Sequence, residues 1–333
     1  MVTPIRIRPA TASDTEAIVA LCRDNLLTIP TLEPEEADPP PTRSRPALQT
    51  LRDGLADGCL LAARGEAGLL ACGGLCLDRR QLTALLVSPA ARRSGLARRM
   101  VAHIERLAVQ FGLLELQVRA LSPSVNFYLA CGYRLVPTDE PTPSSQDGLL
   151  RMRRAFSRRQ TRYGREIAAL GQRLGVPGDY GATHRLRLQP ECKRAVSIGP
   201  DVYGREARMA PRAARAWLAM RGAALCQGVQ LQAVSAFRTV AYQAGIIERK
   251  LAAGQDIGEV LRVSAAPGFS EHHSGCALDI TAPGFEPLHE SFEKSPAHQW
   301  LSRSADRFGF RLSYPRGNRH GVAFEPWHWC WHA

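Results

Sequence analysis

Long apolar runs, closely paired cysteines and basic stripes are all missing from this sequence. No uninterrupted apolar stretch approaches the ~18 residues of a membrane-spanning helix, so we expect no association with a membrane. The first residues alternate apolar and basic side chains and lack the continuous apolar core of a secretory signal. We therefore expect a soluble protein that stays in the cytoplasm.

The nine cysteines include no C-x-x-C pair and lie mostly among apolar residues. An odd number of thiols in such surroundings is typical of reduced, buried cysteines and not of a disulfide framework. The cysteine pattern thus indicates the same reducing compartment.

The formal net charge is +12, from 43 basic and 31 acidic residues. The basic residues are scattered over the whole chain and form no stripe interleaved with aromatic residues. This distribution argues against a nucleic-acid partner. It agrees equally well with small anionic ligands, such as a pyrophosphate or a peptide carboxylate.

The chain of 333 residues exceeds the ~250 at which a single core usually stops growing, so we expect two domains. A Pro/Ser-rich segment at 137–146 resembles a linker, but the apolar run at 149–152 after it is typical of one more strand of the first domain. We therefore predict domains at 1–156 and 157–333. Another proline-rich segment, 30–46, is predicted to be an irregular loop.

The first domain alternates between strand-like and helix-like patterns. An amphipathic helical pattern begins after Pro89 and ends near Gly112. Short apolar runs predict strands at 5–8, 59–63, 69–77, 82–87 and 113–118. Strands and helices in this order predict an α/β domain with a mixed sheet.

A basic, glycine-containing turn follows the predicted strand that ends at Leu86 and Val87. The start of a helix exposes unpaired backbone amides and the positive end of the helix dipole, which suits a pyrophosphate. Taken alone, the Arg-x-x-Gly-x-Ala pattern is also compatible with a plain surface turn. The candidate cofactor-binding residues are Leu86 and Val87 at the end of this strand, and Arg92, Arg93, Ser94, Gly95, Leu96 and Ala97 in the turn.

In this order of elements, residues 3–155 resemble the GCN-five-related N-acetyltransferases (GNAT family), whose acetyl-coenzyme A motif is R/Q-x-x-G-x-G/A. The resemblance implies acetyl-CoA as cofactor and an amine acceptor that the sequence does not identify. Asn126 falls where the family contacts the cofactor, and Tyr128 where it often carries a general acid for the departing thiolate. A buried core aromatic residue is an equally good interpretation of Tyr128.

Histidine is unevenly distributed, since eight of the nine histidines follow residue 180. His272 lies in a segment that runs from Ser270 to Asp279, and His328 lies in Glu-Pro-Trp-His-Trp at 325–329. A catalytic zinc typically takes three protein ligands from His and Asp/Glu and keeps a fourth position for water. Each segment alone could equally be a surface pair or an aromatic plug.

The second domain is predicted to have helices at 165–174 and 211–225, and a strand at 229–234 that leads to Arg238. Glu325, three residues before His328, is placed to act as a general base beside a metal. Arg238 would supply a fixed cation for the developing oxyanion or for a substrate carboxylate.

From about Tyr163 to Trp331, the sequence resembles the D-alanyl-D-alanine carboxypeptidases and dipeptidases of vancomycin resistance (VanY/VanX-like). The segment 270–279 resembles the family's S-x-H-x-x-G-x-A-x-D element, and 325–328 resembles its E-x-W-H element. Ser-Ala-Phe-Arg-Thr at 235–239 resembles the family's S-G-Y-R-S segment, with Arg238 retained.

The resemblance implies an α+β fold in which helices pack on an antiparallel sheet. It also implies Zn²⁺ as cofactor and assigns roles to seven residues. These are His272, Asp279 and His328 as zinc ligands, Glu325 as base, Arg238 as transition-state stabiliser, and Ser270 and Gln243 as substrate contacts.

We therefore expect a bifunctional cytoplasmic enzyme, in which a zinc peptidase for small peptides with a D-amino-acid terminus is joined to an acetyltransferase. Two alternatives stay open. The first domain could serve only as an acetyl-CoA-binding regulatory module, because no catalytic base is obvious. The zinc domain could be an amidase for a substrate unrelated to peptidoglycan.

Overall fold

A computed structural model of the chain describes residues 5–26, 54–55, 58–66, 68–137 and 149–332. The chain separates into two compact units, residues 1–164 and 165–333. The predicted boundary at 156/157 lies slightly before this division. The predicted loop at 30–46 and the predicted linker at 137–146, apart from residue 137, lie outside the described residues.

The first unit is a mixed sheet with helices, as predicted. Its described strands are β1 (Arg6–Pro9), β2 (Leu60–Gly65), β3 (Gly68–Cys76), β4 (Gln81–Val87), β5 (Glu115–Leu121), β6 (Arg134–Leu135) and β7 (Leu149–Ala155). Its described helices are α1 (Thr15–Leu26), α2 (Leu96–Gln110) and α3 (Val125–Ala130). The sheet order is β1-β2-β3-β4-β5-β7-β6, and β4 with β5 is the parallel pair among these strands.

Helix α2 forms because its apolar residues recur every three or four positions and make one continuous face. Met100 and Ile104 on that face are fully buried. The helix lies against β3 so closely that a Cβ at Gly73 would stand 3.1 Å from the Ile104 side chain. The amphipathic pattern therefore predicted this helix correctly.

Strands β4 and β5 share one registered pair, Gln81 with Gln117. Strand β4 also bulges, since its register against β3 shifts between Cys72 and Gly74 and Ala84 adopts a positive φ of 50°. A bulge bends the strand that carries it. The bend therefore lies between Gln81, the residue registered with β5, and Val87 at the end of the strand.

The second unit is an α+β domain with antiparallel sheets, as predicted. Its helices among the described residues are α4 (Arg162–Arg173, which begins just before the division), α5 (Tyr180–Thr183), α6 (Pro211–Leu225), α7 (Val240–Ala252), α8 (Ile257–Val263) and α9 (Pro296–Ser304). Its described strands are β8 (Val196–Pro200), β9 (Glu206–Met209), β10 (Gln232–Ser235), β11 (Ala277–Thr281), β12 (Phe310–Leu312) and β13 (His328–Trp331).

Strands β10, β11, β13 and β12 form one antiparallel sheet in that order, and β8 pairs with β9 in a second sheet. The strand predicted at 229–234 begins only at Gln232, because its partner β11 ends at Thr281, opposite that residue. Helices α4 and α6 lie close to the predicted positions.

One apolar core holds the larger sheet of the second unit in place. Trp217 and Met220 of α6 are fully buried and belong to the same cluster as Leu278, Ile280 and Trp329 of the sheet. Burying side chains of this size contributes about 1.5–3 kcal/mol each. The packing therefore fixes β11 and β13, the two strands that carry the histidine and aspartate motifs.

Within the described ranges, no helix combines the length and the apolar character that crossing a membrane requires.

Asp14 of the first unit has a fully buried carboxylate. It accepts hydrogen bonds from Arg8 Nη1 at 2.7 Å, from Arg64 Nε at 2.9 Å and from the Thr11 backbone N–H at 2.8 Å. The hydrogen bond from Arg8 outweighs burial and holds the pKa of Asp14 well below its usual range. These contacts join β1, β2 and the start of α1.

We expect Asp14→Asn to destabilise the first unit by about 1–3 kcal/mol at neutral pH, since it removes a charged acceptor from three donors. A lowered carboxyl pKa stabilises the fold above the unfolded-state value of about 3.9 and loses that effect as the pH falls toward the folded value. The difference between wild type and variant should therefore shrink below about pH 4.

The measurement is urea denaturation of the full chain, followed by far-ultraviolet circular dichroism and by tryptophan fluorescence. All five tryptophans lie in the second unit, so fluorescence reports that unit alone. The circular dichroism transition should shift, and the fluorescence transition should not. Glu16→Gln, which removes an exposed carboxylate from the start of α1, is the control. Equal shifts in both variants would contradict the role of Asp14.

Candidate metal centre and cofactor cavity

The antiparallel pairing of β11 with β13 brings two distant residues of the sequence opposite each other. Asp279 and His328 are registered partners in this pairing. Cross-strand partners on one face have their Cβ atoms about 4.5–5.5 Å apart. The sheet register therefore joins the two predicted motif segments at one point.

His272 reaches the same point from a 3₁₀ turn, Glu271–Ser274, that precedes β11. Gly275 ends the turn with φ at +70°, a left-handed conformation that favours glycine. A Cβ at this glycine would lie 2.8 Å from the backbone nitrogen of Ala210. The glycine of the motif thus allows the sharp return from His272 into β11.

One ligand atom from each of His272, Asp279 and His328 lies within 4.8 Å of the others. His272 Nε2 is 3.2 Å from Asp279 Oδ2, and His328 Nδ1 is 3.0 Å from Asp279 Oδ1. The three residues are 1%, 4% and 3% exposed. The structure therefore assembles the three predicted ligands into one buried cluster.

The hydrogen bonds of His272 show whether this cluster suits a metal ion. Its Nδ1 lies 2.6 Å from the carbonyl oxygen of Ala236, which can only accept, so Nδ1 carries the proton. Its Nε2 is buried without a hydrogen-bond partner. Burial, followed by the charge of Arg238, lowers the pKa of His272 to about 4. A neutral imidazole with a free lone pair and a fixed tautomer fits zinc.

His328 points its other nitrogen at a second carboxylate. Its Nε2 lies 2.9 Å from Glu271 Oε2, and the Ser313 hydroxyl donates to the same oxygen at 2.6 Å. Burial lowers the pKa of His328, but the hydrogen bonds to Asp279 and Glu271 prevail and raise it to about 10. A carboxylate that holds the far nitrogen of a ligand histidine orients the ring and increases its basicity.

Sequence reasoning missed Glu271, although this residue lies inside the motif next to His272. Its carboxylate serves His328, which is far away in the sequence, and not its neighbour. The signal available was an acidic residue at the variable position between Ser270 and His272. Its partner becomes evident only when β13 is placed.

Glu325 lies in the tight turn before β13, where its carbonyl accepts from the His328 backbone N–H at 3.1 Å. Its carboxylate is 14% exposed and lies 3.7 Å from His328 Nδ1. Burial raises the pKa of Glu325 to about 7, with Asp279 and Glu271 acting in the same direction and His328 and Arg238 opposing them. The group therefore has a proton affinity suited to a base near neutral pH.

Arg238 is held by its backbone beside the cluster. Its N–H donates to the His272 carbonyl at 3.3 Å, and its own carbonyl accepts from His273 Nδ1 at 2.7 Å. His273 thereby points away from the three ligands. The Arg238 Nε atom is buried and has no hydrogen-bond partner. The side chain therefore keeps a donor for a ligand.

Gln243 and Ser270, the predicted substrate contacts, are both buried. Gln243 Nε2 donates to the Ala265 carbonyl at 2.8 Å, and its Oε1 has no partner. Because the Ala265 carbonyl can only accept, the atom bonded to it must be the amide nitrogen of Gln243, and the free atom must be the amide oxygen. Gln243 thus offers an acceptor. Ser270 precedes the turn that carries His272, and its carbonyl accepts from the His273 backbone N–H.

In the first unit, a cavity of about 440 Å³ opens at the start of α2. Gly95 precedes the helix with φ at +79° and has open space where a Cβ would stand. Six of the predicted cofactor residues line the cavity, namely Val87, Arg92, Arg93, Gly95, Leu96 and Ala97. Ala91, Arg98, Phe127 and Ala130 also line it and were not predicted.

The other predicted residues of this site lie around the cavity. Leu86 pairs with Cys72 of β3, and the Ser94 hydroxyl donates to the Ala91 carbonyl at 2.6 Å. Asn126 is exposed. Tyr128 is 7% exposed and packs edge-on against Tyr133, and burial raises its pKa to about 12. Neither Asn126 nor Tyr128 lines the cavity, whereas Phe127, which lies between them in the sequence, does.

We expect Glu271→Ala to weaken zinc binding by about 10–100-fold, because the far nitrogen of His328 loses the carboxylate that orients it. Glu271→Gln, which keeps an acceptor without charge, should fall between wild type and the alanine variant. Competition against a chromophoric chelator measures the affinity. The control is Glu286→Ala at an exposed position. Unchanged zinc affinity in the Glu271 variants would remove this residue from the site.

Two family models match the chain. Residues 206–333 match the model described as VanY, D-alanyl-D-alanine carboxypeptidase. Residues 25–133 match the model described as the acetyltransferase (GNAT) family. The two matched segments correspond to the second and first units.

Curated relatives match the second unit. YodJ of Bacillus subtilis (strain 168), assigned as a carboxypeptidase, is 34% identical over 167 residues, covering 49% of this chain and 58% of that protein. A D-alanyl-D-alanine carboxypeptidase of Enterococcus faecalis (strain ATCC 700802 / V583) is 34% identical over 117 residues, covering 32% of this chain and 42% of that protein. The chain thus spans about half the length of the curated relatives it matches.

Solved structures similar to each unit include the LdcB LD-carboxypeptidase, with a TM-score of 0.40, 28% identity and coverage of 42% of this chain and 69% of that chain. The PaiA N-acetyltransferase from Thermoplasma acidophilum, in complex with coenzyme A, has a TM-score of 0.39, 17% identity and coverage of 46% and 100%. The family matches confirm both resemblances found in the motifs: residues 25–133 are similar to the GNAT family, and residues 206–333 are similar to the VanY family.

Proposed function

We propose that the second unit is a zinc-dependent carboxypeptidase that removes the terminal D-alanine-type residue from small peptides derived from peptidoglycan. The observation that carries this proposal is the buried cluster of His272, Asp279 and His328, in which one imidazole nitrogen has no partner. Curated relatives of this unit include a D-alanyl-D-alanine carboxypeptidase that is 34% identical over the aligned region. That relative supports the substrate class.

In this mechanism His272, His328 and Asp279 would hold zinc, with His272 Nε2, His328 Nδ1 and the Asp279 carboxylate as the available ligand atoms. Zinc bound there supplies a Lewis acid for the scissile carbonyl and makes the attacking water more acidic. The protein contributes the fixed orientation of both rings, since Ala236 and Glu271 occupy their far nitrogens. Little reorganisation is then needed when substrate arrives.

Glu325 acts as the general base. It accepts a proton from the water whose oxygen attacks the carbonyl carbon, and it donates that proton to the amine when the C–N bond breaks. Its burial and its distance of 3.7 Å from His328 Nδ1 support a role beside the ligands. Arg238 offers its free donor to negative charge that develops on the carbonyl oxygen.

Gln243 contributes to substrate recognition as an acceptor. With its amide nitrogen committed to Ala265, the free Oε1 suits an N–H group and not a carboxylate. A peptide substrate carries such N–H groups along its backbone. Buried Ser270 stays a candidate for a second contact from the turn that holds His272.

We propose that the first unit binds acetyl-CoA at the cavity beside Gly95 and transfers the acetyl group to an amine. The start of α2, which carries the positive end of the helix dipole, lines this cavity, and Arg92 and Arg93 add positive charge there. Asn126 and Tyr128 adjoin this cavity through Phe127. If transfer fails while binding persists, the unit is the regulatory acetyl-CoA-binding module.

We infer a cytoplasmic location for the protein. All nine cysteines are free thiols, including Cys276 and also Cys192, whose sulfur would lie 3.3 Å from a Cβ at Gly275. Burial raises the pKa of the Cys276 thiol. Unpaired cysteines of this number suit a reducing compartment. In such a compartment, soluble peptides are the accessible substrates.

We expect Glu325→Ala to reduce hydrolysis by about 10²–10⁴-fold, because proton transfer contributes that much to comparable reactions. Release of D-alanine from a synthetic pentapeptide ending in D-alanyl-D-alanine measures the activity. The zinc content of the variant should remain that of wild type, whereas His272→Ala should lose both zinc and activity.

Glu248→Ala, which removes an exposed carboxylate from α7, is the matched control and should retain full activity. A Glu325→Ala variant as active as this control would rule out the proposed base. A zinc-loaded wild type that cleaves other amides but no D-alanyl peptide would instead favour the amidase alternative.

We expect Arg93→Ala to weaken acetyl-CoA binding about tenfold or more, because a charged contact to phosphate is lost. Isothermal titration calorimetry with the full chain measures the affinity. Arg106→Ala, at an exposed position on α2 and outside the cavity lining, is the control. Equal loss of affinity in both variants would show general electrostatic attraction and no defined site.

A further inference from the structure

Four arginines that are far apart in the sequence lie together on one face of the sheet in the first unit. Arg119 of β5 is registered with Arg151 of β7, and Arg134 of β6 is registered with Arg153 of β7. Registered partners on antiparallel strands point to the same face, and so do residues two apart on one strand. The four side chains therefore form one group, the arginine cluster, and all four residues are exposed.

The alternation of burial along β5 and β7 agrees with this placement. Leu116, Val118 and Met152 lie at the intervening positions, point to the opposite face and are at most 3% exposed. An antiparallel sheet commonly packs one face on the core and leaves the other face to solvent. The arginine cluster therefore lies on the solvent face, while the core face holds the three strands in register.

The arginine cluster is compact and ends in both directions along the strands. Neighbouring strands lie about 4.8 Å apart, and residues two apart on one strand about 7 Å, so the four side chains start within about 10 Å of one another. Beyond Arg153, the carboxylate of Glu115 lies 3.5 Å from its guanidinium. Beyond Arg151, the next registered pair on this face is Leu121 with Leu149. A bounded patch of this size fits a small anion better than an extended polyanion, which requires a longer basic stripe.

The positive charge of the arginine cluster is not balanced by nearby carboxylates of the described residues. Arg134 and Arg151 make no ion pair with any carboxylate in the part of the chain that the structure describes. The ion pair of Arg153 with Glu115 is exposed on both sides, and such pairs contribute little. Like charges directly opposite each other on neighbouring strands destabilise a sheet. An anion that bridges the guanidinium groups would remove this repulsion.

We propose that the arginine cluster is a binding site for a small ligand that carries two or more carboxylate or phosphate groups. The planar guanidinium group donates two parallel hydrogen bonds to either kind of oxyanion. Arg134 and Arg151 provide these donors, and Arg119 and Arg153 add charge beside them. The lining of the proposed acetyl-CoA cavity contains none of the four arginines, so the inference does not depend on the proposed activity of either unit.

The test is isothermal titration calorimetry of the full chain with propane-1,2,3-tricarboxylate, with pyrophosphate, and with acetate as a probe of single charge. We expect the double variant Arg134→Met/Arg151→Met to weaken binding of the preferred multivalent probe by about 100-fold, since each lost charge-assisted hydrogen bond accounts for about tenfold or more. The tighter of the two multivalent probes distinguishes a carboxylate ligand from a phosphate ligand. Binding of these probes at the zinc ligands or in the acetyl-CoA cavity is common to all variants and cancels in the comparison.

Urea denaturation followed by far-ultraviolet circular dichroism gives a second measurement with the opposite sign. Without ligand, Arg151→Met should raise the denaturation midpoint, because the repulsion across the registered pair with Arg119 is relieved. The preferred multivalent probe should raise the midpoint of wild type and leave that of the double variant unchanged. A variant that is more stable than wild type and yet insensitive to the probe cannot owe its loss of binding to misfolding.

The matched control is Arg23→Met/Arg106→Met, which removes two exposed charges from α1 and α2 and leaves the sheet intact. Both double variants have the same net charge, so an equal loss of binding in the two would show general electrostatic attraction and overturn the site. Multivalent probes that bind wild type no better than acetate does would also overturn it. So would a single-stranded oligonucleotide that binds the arginine cluster more tightly than either small probe, because the ligand would then be a nucleic acid.

Discussion

The register between β11 and β13 is the constraint on which the proposed zinc site depends. Asp279 lies opposite His328, and Leu278 lies opposite Trp329 on the other face, within the apolar core. A slip of one residue would exchange the faces of a strand and would put a carboxylate into that core. Packing of Leu278 and Trp329 therefore specifies the position of Asp279 and His328. A substitution that disturbs this core packing is expected to disturb the geometry of the site as well.

Burying so many ionisable groups at one point is unfavourable unless each has a partner. The network meets this condition at the histidine nitrogens that face away from the cluster. His272 donates to Ala236, and Glu271 accepts from both His328 and Ser313. On the inner side, the proton of His328 faces Asp279. A divalent cation would replace that proton and complete the coordination of the inner atoms while the outer contacts stay as they are.

The motifs predicted the three proposed metal ligands. They did not predict Glu271, which holds the far nitrogen of His328. His272, Asp279 and His328 carry a chemical signature in their residue types and spacing, so the sequence alone identified them as a set. Glu271 is one of 31 acidic residues, and only the placement of β13 shows which of them faces His328. In the first unit, the turn around Gly95 was predicted for the same reason as the ligands, whereas the part of α3 that lines the cavity depends on how that short helix packs.

Unsatisfied polar atoms link the ligand sites to stability. Among the described residues, six buried side-chain atoms have no hydrogen-bond partner, and His272 Nε2, Arg238 Nε and Gln243 Oε1 are three of them. Each such atom costs about 1–3 kcal/mol when it is left without a partner. A bound metal and substrate would supply the contacts that these three atoms lack. In the proposed mechanism these atoms would therefore contribute to the free energy with which zinc, a carbonyl oxygen and a peptide N–H bind.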